Sequence, residues 1–123
     1  MSSFGESLLL TARDPEWLFA YWEICPETVQ RAIATLGEAV PVLRVTLRTD
    51  TGFTRTYDER VDLSSRRHYL HVPEANRVYQ AELGFRTHDG QFVPALTSNE
   101  VNMAEVDFAA MNTGEELVVR FKK

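Results

Sequence analysis

The sequence predicts a mainly β protein: an antiparallel, immunoglobulin-like β-sandwich with one inserted short α-helix. Three observations carry this. Apolar runs of strand length recur along the chain, turn signals separate them at regular spacing, and only one segment has helical periodicity. The alternative is an α+β arrangement, an antiparallel sheet with the helix on one face. At 123 residues, 44% hydrophobic and 25% charged, the chain is expected to form a single domain over residues 1–123 with one continuous core. No linker, low-complexity run or internal repeat marks a boundary within it.

Ser7 to Ala12 is a first apolar run of strand length. Arg13-Asp14-Pro15-Glu16 then reads as a turn, because Asp14 can bond the backbone beyond it and Pro15 pre-sets φ. Trp17 to Ile24 follows as a second strand, placed to pair with the first as a hairpin. Seven of its eight residues are apolar or aromatic, and both tryptophans of the chain lie in it.

The helix comes next. Pro26 suits a first helical position and Glu27 the positive end of the dipole. Val29, Ala32, Ile33 and Leu36 fall at i, i+3, i+4 and i+7, an apolar stripe expected to cover an edge or end of the sheet. Gly37 stands where a left-handed cap is needed.

After Pro41 the period changes to two. Leu43, Val45 and Leu47 alternate with Arg44, Thr46 and Arg48, as in a half-exposed antiparallel strand. Thr49 to Gly52 is a tight turn, and Phe53 to Leu63 the returning strand with Tyr57, Val61 and Leu63 inward. A polar break at Ser64–Arg67 precedes a short strand marked by Leu70 and Val72. Tyr79, Ala81, Leu83 and Phe85 define one face of the clearest strand. His88-Asp89-Gly90 turns it back into a partner where Pro94 requires an edge position or a bulge. Ala104 to Met111 fits a short helix or an irregular crossing, and Leu117, Val119 and Phe121 a last strand.

Composition excludes several classes. No apolar run approaches the roughly 20 residues of a membrane span. The first residues lack a basic leader, so no secretory signal is expected. Cys25 is alone, which precludes an intrachain disulfide and suits a reducing, cytoplasmic setting. Thirteen basic against eighteen acidic residues give −5 at neutral pH, a poor balance for a binder of duplex nucleic acid.

Three aromatics of the second strand, Trp17, Tyr21 and Trp22, are the candidate ligand-binding residues, since aromatic faces stack on sugars and bases at little entropic cost. Trp22 has the opposite parity to the other two, so a regular strand cannot present all three on one platform. The competing reading makes the stretch a central buried strand, with at most one aromatic free to touch a ligand. The need for bulky filler between two sheets favours that reading.

No catalytic or metal site is expected, and no cofactor. Glu23 and Glu82 have the chemistry of a glycosidase pair, but each fits an outward position. His68 and His71 are three apart on a strand and so on opposite faces, and His88 lies in a turn. Cys25 precedes a helix whose start could depress its pKa, without other signs of nucleophilic chemistry. Asp14 reads as turn chemistry. The arginines at 44, 48, 55, 60, 66, 67 and 77 are interspersed with Asp50, Asp58, Glu59, Asp62 and Glu74, giving a mixed, solvated surface.

The run from Arg13 through Asp14, Pro15 and Trp17 to Ile24 resembles a bacterial family, domain of unknown function 4912. So do Tyr79-…-Ala81-Glu82-Leu83-Gly84, the Gly90-…-Phe92 hairpin and Ser98-Asn99-Glu100-Val101, in the family's order. The proline that usually follows the last block is missing from Asn102-Met103-Ala104. The resemblance implies no established activity. Some members look like genomic neighbours of glucan-branching enzymes, and others carry a small Rho-type nucleic-acid-binding module that this chain lacks. The expected function is therefore a non-catalytic interaction or ligand-binding module, associated with bacterial glucan (glycogen-like) metabolism and having a protein or glycan partner. The alternative is a single-stranded nucleic-acid-binding module that stacks bases and uses arginines.

Overall fold

Period-two alternation at Leu43–Arg48 and Tyr79–Arg86 becomes the two central strands of one sheet, and the doubly apolar Trp17–Glu23 the central strand of another. A computed structural model describes residues 5–49 and 51–109. Its elements are β1 (Ser7–Asp14), β2 (Trp17–Glu23), α1 (Pro26–Leu36), β3 (Ala39–Arg48), β4 (Thr54–Arg60), a 3-10 turn (Leu63–Ser65), β5 (Arg67–His71), β6 (Val78–Thr87), β7 (Phe92–Thr97) and β8 (Val101–Asn102). One sheet has the order β1-β2-β5, the other β4-β3-β6-β7 with β8 also on β6. All pairings are antiparallel. The predicted sandwich with one inserted helix is therefore the fold. The strand predicted around Leu117–Phe121 lies outside the described residues, as do residues 110 and 111 of the Ala104–Met111 segment.

The core lies between the sheets. Leu8, Leu10, Leu18, Ala20, Trp22 and Leu70 from the three-stranded sheet meet Leu43, Val45, Leu47, Tyr79, Ala81 and Leu83 from the other. Two buried aromatics bring polar atoms that find partners, as burial demands. Trp22 Nε1–H donates to the Leu63 carbonyl at 3.1 Å. The Tyr79 hydroxyl donates to the Glu74 carbonyl at 2.5 Å and accepts from the Glu74 N–H at 3.1 Å. This is the corner in which a tyrosine near a strand start bonds back to the backbone upstream.

Side chains close both edges of the sandwich. On one side the Tyr57 hydroxyl of β4 donates to the His71 carbonyl of β5 at 3.2 Å, and His68 meets Glu59 at 2.7 Å. On the other side Ser98 interrupts the track that β7 and β8 follow along β6. Its N–H donates to the Ala81 carbonyl and its Oγ accepts the Ala81 N–H. Asn99 is thereby turned toward β1, where it accepts the Leu10 N–H at 2.9 Å and donates to the Leu10 carbonyl at 2.8 Å. One side-chain amide thus does for Leu10 what a paired strand would do. Asn99→Ala is expected to cost about 1–2 kcal/mol by removing both bonds, read as a lower urea midpoint at unchanged m-value.

The helix departs from expectation. Gly37 does take a positive φ of 71°, which favours glycine, and its N–H reaches the Ile33 carbonyl at 2.9 Å. The stripe, however, covers little: no residue of α1 is buried, and Ile33 is 54% exposed. Ala32 and Leu36 line an open groove with Phe85, Val93 and Pro94 at the β7 edge of the larger sheet. The edge position and the bulge anticipated at Pro94 both occur, the register of β7 on β6 shifting between Leu83 and Gly84.

Candidate functional site

A two-layer sandwich buries one face of each sheet, and α1 lies beside the larger sheet. The outer face of β1-β2-β5 is consequently left to the side chains that parity assigns to it. Along β2, Leu18, Ala20 and Trp22 are fully buried, whereas Trp17, Phe19 and Tyr21 point outward with Glu23. The antiparallel register adds neighbours from both sides. Leu9, Tyr21 and Arg67 form one row, Thr11, Phe19 and Tyr69 a second, and Trp17 with His71 a third.

These rows make a continuous aromatic surface. The Phe19 and Tyr69 rings lie 5.1 Å apart and tilted, and the Trp17 and His71 rings 5.2 Å apart and edge-on. Leu9 is 48%, Tyr69 47% and Trp17 36% exposed. The Tyr21 hydroxyl donates to Glu23 at 3.1 Å. Arg13 joins from a bulge, the β1 register slipping between Ala12 and Asp14. Its guanidinium lies 5.0 Å above the Tyr69 ring. Bulges re-aim side chains in this way.

Of the three aromatics singled out in the sequence, Trp17 and Tyr21 share this face and Trp22 does not. Trp22 is core, its indole held between the sheets, and it drops out of any stacking platform. The reading of the stretch as a buried central strand needs a second correction: β2 is central, but buried on one face only. Phe19, Tyr69, His71, Leu9 and Arg13 were missed as members of the site. A signal for Tyr69 and His71 was present, since Leu70 and Val72 mark the inward parity of β5 and so put residues 69 and 71 outward.

The other candidates are separated or tied up. Glu23 is on the outer face of one sheet and Glu82 on that of the other, opposite Arg44, so no carboxylate pair forms. The Asp14 carboxylate accepts the Glu16 N–H at 2.9 Å, a turn contact. At Cys25 the expectation of a depressed thiol is reversed. Desolvation, and then the nearby Glu6 and Glu27 carboxylates, push its pKa up. The Glu6 carboxylate itself occupies the helix start. It accepts from the Thr28 hydroxyl at 2.5 Å and the Cys25 N–H at 3.0 Å, bonds that hold its pKa below the usual carboxylate range.

Five arginines in or beside the larger sheet are paired. Arg44 and Arg86 converge on Asp58 at 2.8 and 3.1 Å, and hydrogen bonding from Arg44 keeps that carboxyl below its ordinary pKa. Arg48 meets Glu100 at 2.6 Å, while Arg55 and Arg77 share Glu74. Among the described residues no helix is long and apolar enough to cross a membrane.

A family model described as "Domain of unknown function (DUF4912)" matches residues 5–112. A search of curated proteins found no match. Among solved structures, the chain is similar to a fibronectin type III domain of human collagen XX. That similarity has 13% identity and a TM-score of 0.50, over 79% of this chain and 88% of that one. A solution structure of the fn3 domain of the human collagen alpha-1(XX) chain matches at 14% identity and TM-score 0.48, over 84% and 82%. The first of these likenesses supports the sandwich fold and nothing further.

Proposed function

The chain belongs to the domain of unknown function 4912 family, and from that premise we propose that it is a non-catalytic module that binds a glycan, of the glucan class, on the outer face of its three-stranded sheet. The observation that carries the reading is that Trp17, Phe19, Tyr21 and Tyr69 share one outer face, Trp17 and Tyr69 exposed and Phe19 and Tyr21 half-buried. Soluble domains rarely leave a contiguous apolar surface without use. Flat, rigid rings lose little entropy on binding, and the hydroxyls and charges around them (Tyr21, Glu23, Arg13, Arg67) suit a ligand that is apolar on its ring faces and polar at its edges. Separation of Glu23 from Glu82 supports binding without turnover. Glucan is preferred because the family resemblance points to neighbours of branching enzymes. A single cysteine, which can form no intrachain disulfide, suits a cytoplasmic setting.

Affinity electrophoresis through glycogen, amylose and other polysaccharides tests the reading. Retardation is expected for the wild-type chain, weakened about tenfold in affinity by Trp17→Ala, given roughly 1–3 kcal/mol per stacked ring. Absence of retardation in every polysaccharide would remove it.

A second reading rests on Arg13 and Arg67, which bring positive charge to the same face. Single-stranded nucleic acid would stack on the rings and meet the guanidiniums, with an affinity falling steeply as salt rises. The net charge of −5 opposes it. Failure to bind oligonucleotides at low ionic strength would exclude it.

A further inference from the structure

Resting on the glycan reading, we infer that the preferred ligand is a sparsely phosphorylated glucan, its phosphate groups taken by Arg13 and Arg67 beside the stacking rings. These two arginines differ from five others in or beside the larger sheet. Arg44, Arg48, Arg55, Arg77 and Arg86 are each committed to a carboxylate. Arg13 has a ring as its partner, and Arg67 lies in the row of Leu9 and Tyr21, neither of which is acidic.

Their placement bears on the same aromatic pair. Arg13 lies over Tyr69 from the β1 side, brought there by the bulge, and Arg67 is two residues before Tyr69 on the same face of β5. The Tyr69 ring is already capped by Arg13, so a sugar stacked on the neighbouring rings of β2 would have a guanidinium within reach from either side. An arginine fork matches phosphate oxygens in a bidentate manner and gives up little rotamer freedom per bond when already stacked on a ring.

Charge complementarity also limits how anionic the ligand can be. The face carries two such arginines and two acidic residues, Glu23 and the turn-bonded Asp14 opposite Trp17, and the chain as a whole is at −5. A polymer with a charge on every residue would be repelled by the remainder of the protein. One with an occasional phosphate would gain the local pair without the long-range penalty. Within the glucan class, a phosphomonoester supplies such a charge without altering the sugar ring, and its oxygens match the guanidinium fork.

The experiment compares three probes on the full chain: a linear α-glucan, the same glucan phosphorylated at low density, and a single-stranded oligonucleotide. Wild type is set beside the Arg13→Gln, Arg67→Gln double variant and Trp17→Ala. The phosphorylated glucan is expected to bind about tenfold tighter than the unmodified one, as two exposed charge-assisted contacts would give. In the double variant that ratio should fall to about one, with an unchanged urea midpoint showing an intact fold. Trp17→Ala should weaken both glucans and largely keep the ratio. Equal wild-type affinity for the two glucans overturns the inference and leaves the glycan reading standing, as does a preference that survives in the double variant. No binding to either glucan overturns the reading itself. Tighter binding to the oligonucleotide than to the phosphorylated glucan overturns both and assigns the face to nucleic acid.

Discussion

Trp22→Ala is expected to unfold the domain or leave it close to unfolding, with a loss of about 3–5 kcal/mol, the range for a large aromatic deleted from a packed core. Domains of this kind have only about 5–15 kcal/mol in total. Trp22 is fully buried among residues of both sheets and bonds the Leu63 carbonyl through its indole N–H. Its removal opens a cavity and takes away one of the two donors to that carbonyl, the other being the Arg66 N–H. Trp17→Ala, in the same strand, should cost no more than about 1 kcal/mol, because its side chain is 36% exposed on the outer face, where its ring meets His71 edge-on. Urea denaturation of the two variants measures the contrast. Equal destabilisation would contradict the assignment of inner and outer faces along β2, and with it the aromatic platform.

Gly84→Ala is expected to be the most damaging of the small substitutions, at about 3 kcal/mol, the upper part of the usual overpacking range. A Cβ at this position would lie 2.8 Å from the Phe92 Cζ and the Pro94 Cα, with the Val93 carbonyl oxygen nearer still. The ring alone could swing aside, but the other two atoms are backbone of the paired strand. Relief therefore requires β7 to leave β6. The layer above would be lost as well, since Phe92 lies between Gly84 and the Arg44 guanidinium, 4.3 Å from the ring centroid, and Arg44 in turn holds Asp58. A urea midpoint within a few tenths of the wild-type value would show that β7 is more yielding than this packing allows. Proteolysis within residues 91–97 offers an independent readout of a detached strand.

The blocks that carry the family resemblance divide by what their residues do. Trp22, Tyr79, Gly84, Phe92, Ser98 and Asn99 each have an assignment in packing or edge closure. Trp17, Phe19 and Tyr21 have none that the fold requires, which is why the outer face of β2 is the place to look for function. Those residues alternate along a single strand with Leu18, Ala20 and Trp22, so one run of sequence contains both a core and a surface.

Local patterns were enough for much of the chain. The helix from Pro26 to its stop at Gly37, the alternation of β3 and β6, the Asp14 turn and the edge character of Pro94 are all set by interactions within a few residues, and they were legible directly. Two-layer architecture followed, because half-apolar strands must bury one face against another sheet. Three matters depended on contacts far apart in sequence. Parity divides Trp17, Phe19 and Tyr21 from Leu18, Ala20 and Trp22 but has no sign, and only the docking of the second sheet on Trp22 decides which set is dry. The helical stripe says that α1 is amphipathic, not which surface it will approach. It lies at β7 and leaves the aromatic face uncovered. Pairing of β2 with β5, across more than forty intervening residues, is what brings Tyr69, His71 and Arg67 to Phe19, Trp17 and Tyr21. The principal strands, the turns and the two-faced character of the aromatic segment follow from local propensity and period. Tertiary structure alone decided which of its faces is surface and which residues complete it, since burial is a property of what packs against a strand and not of the strand.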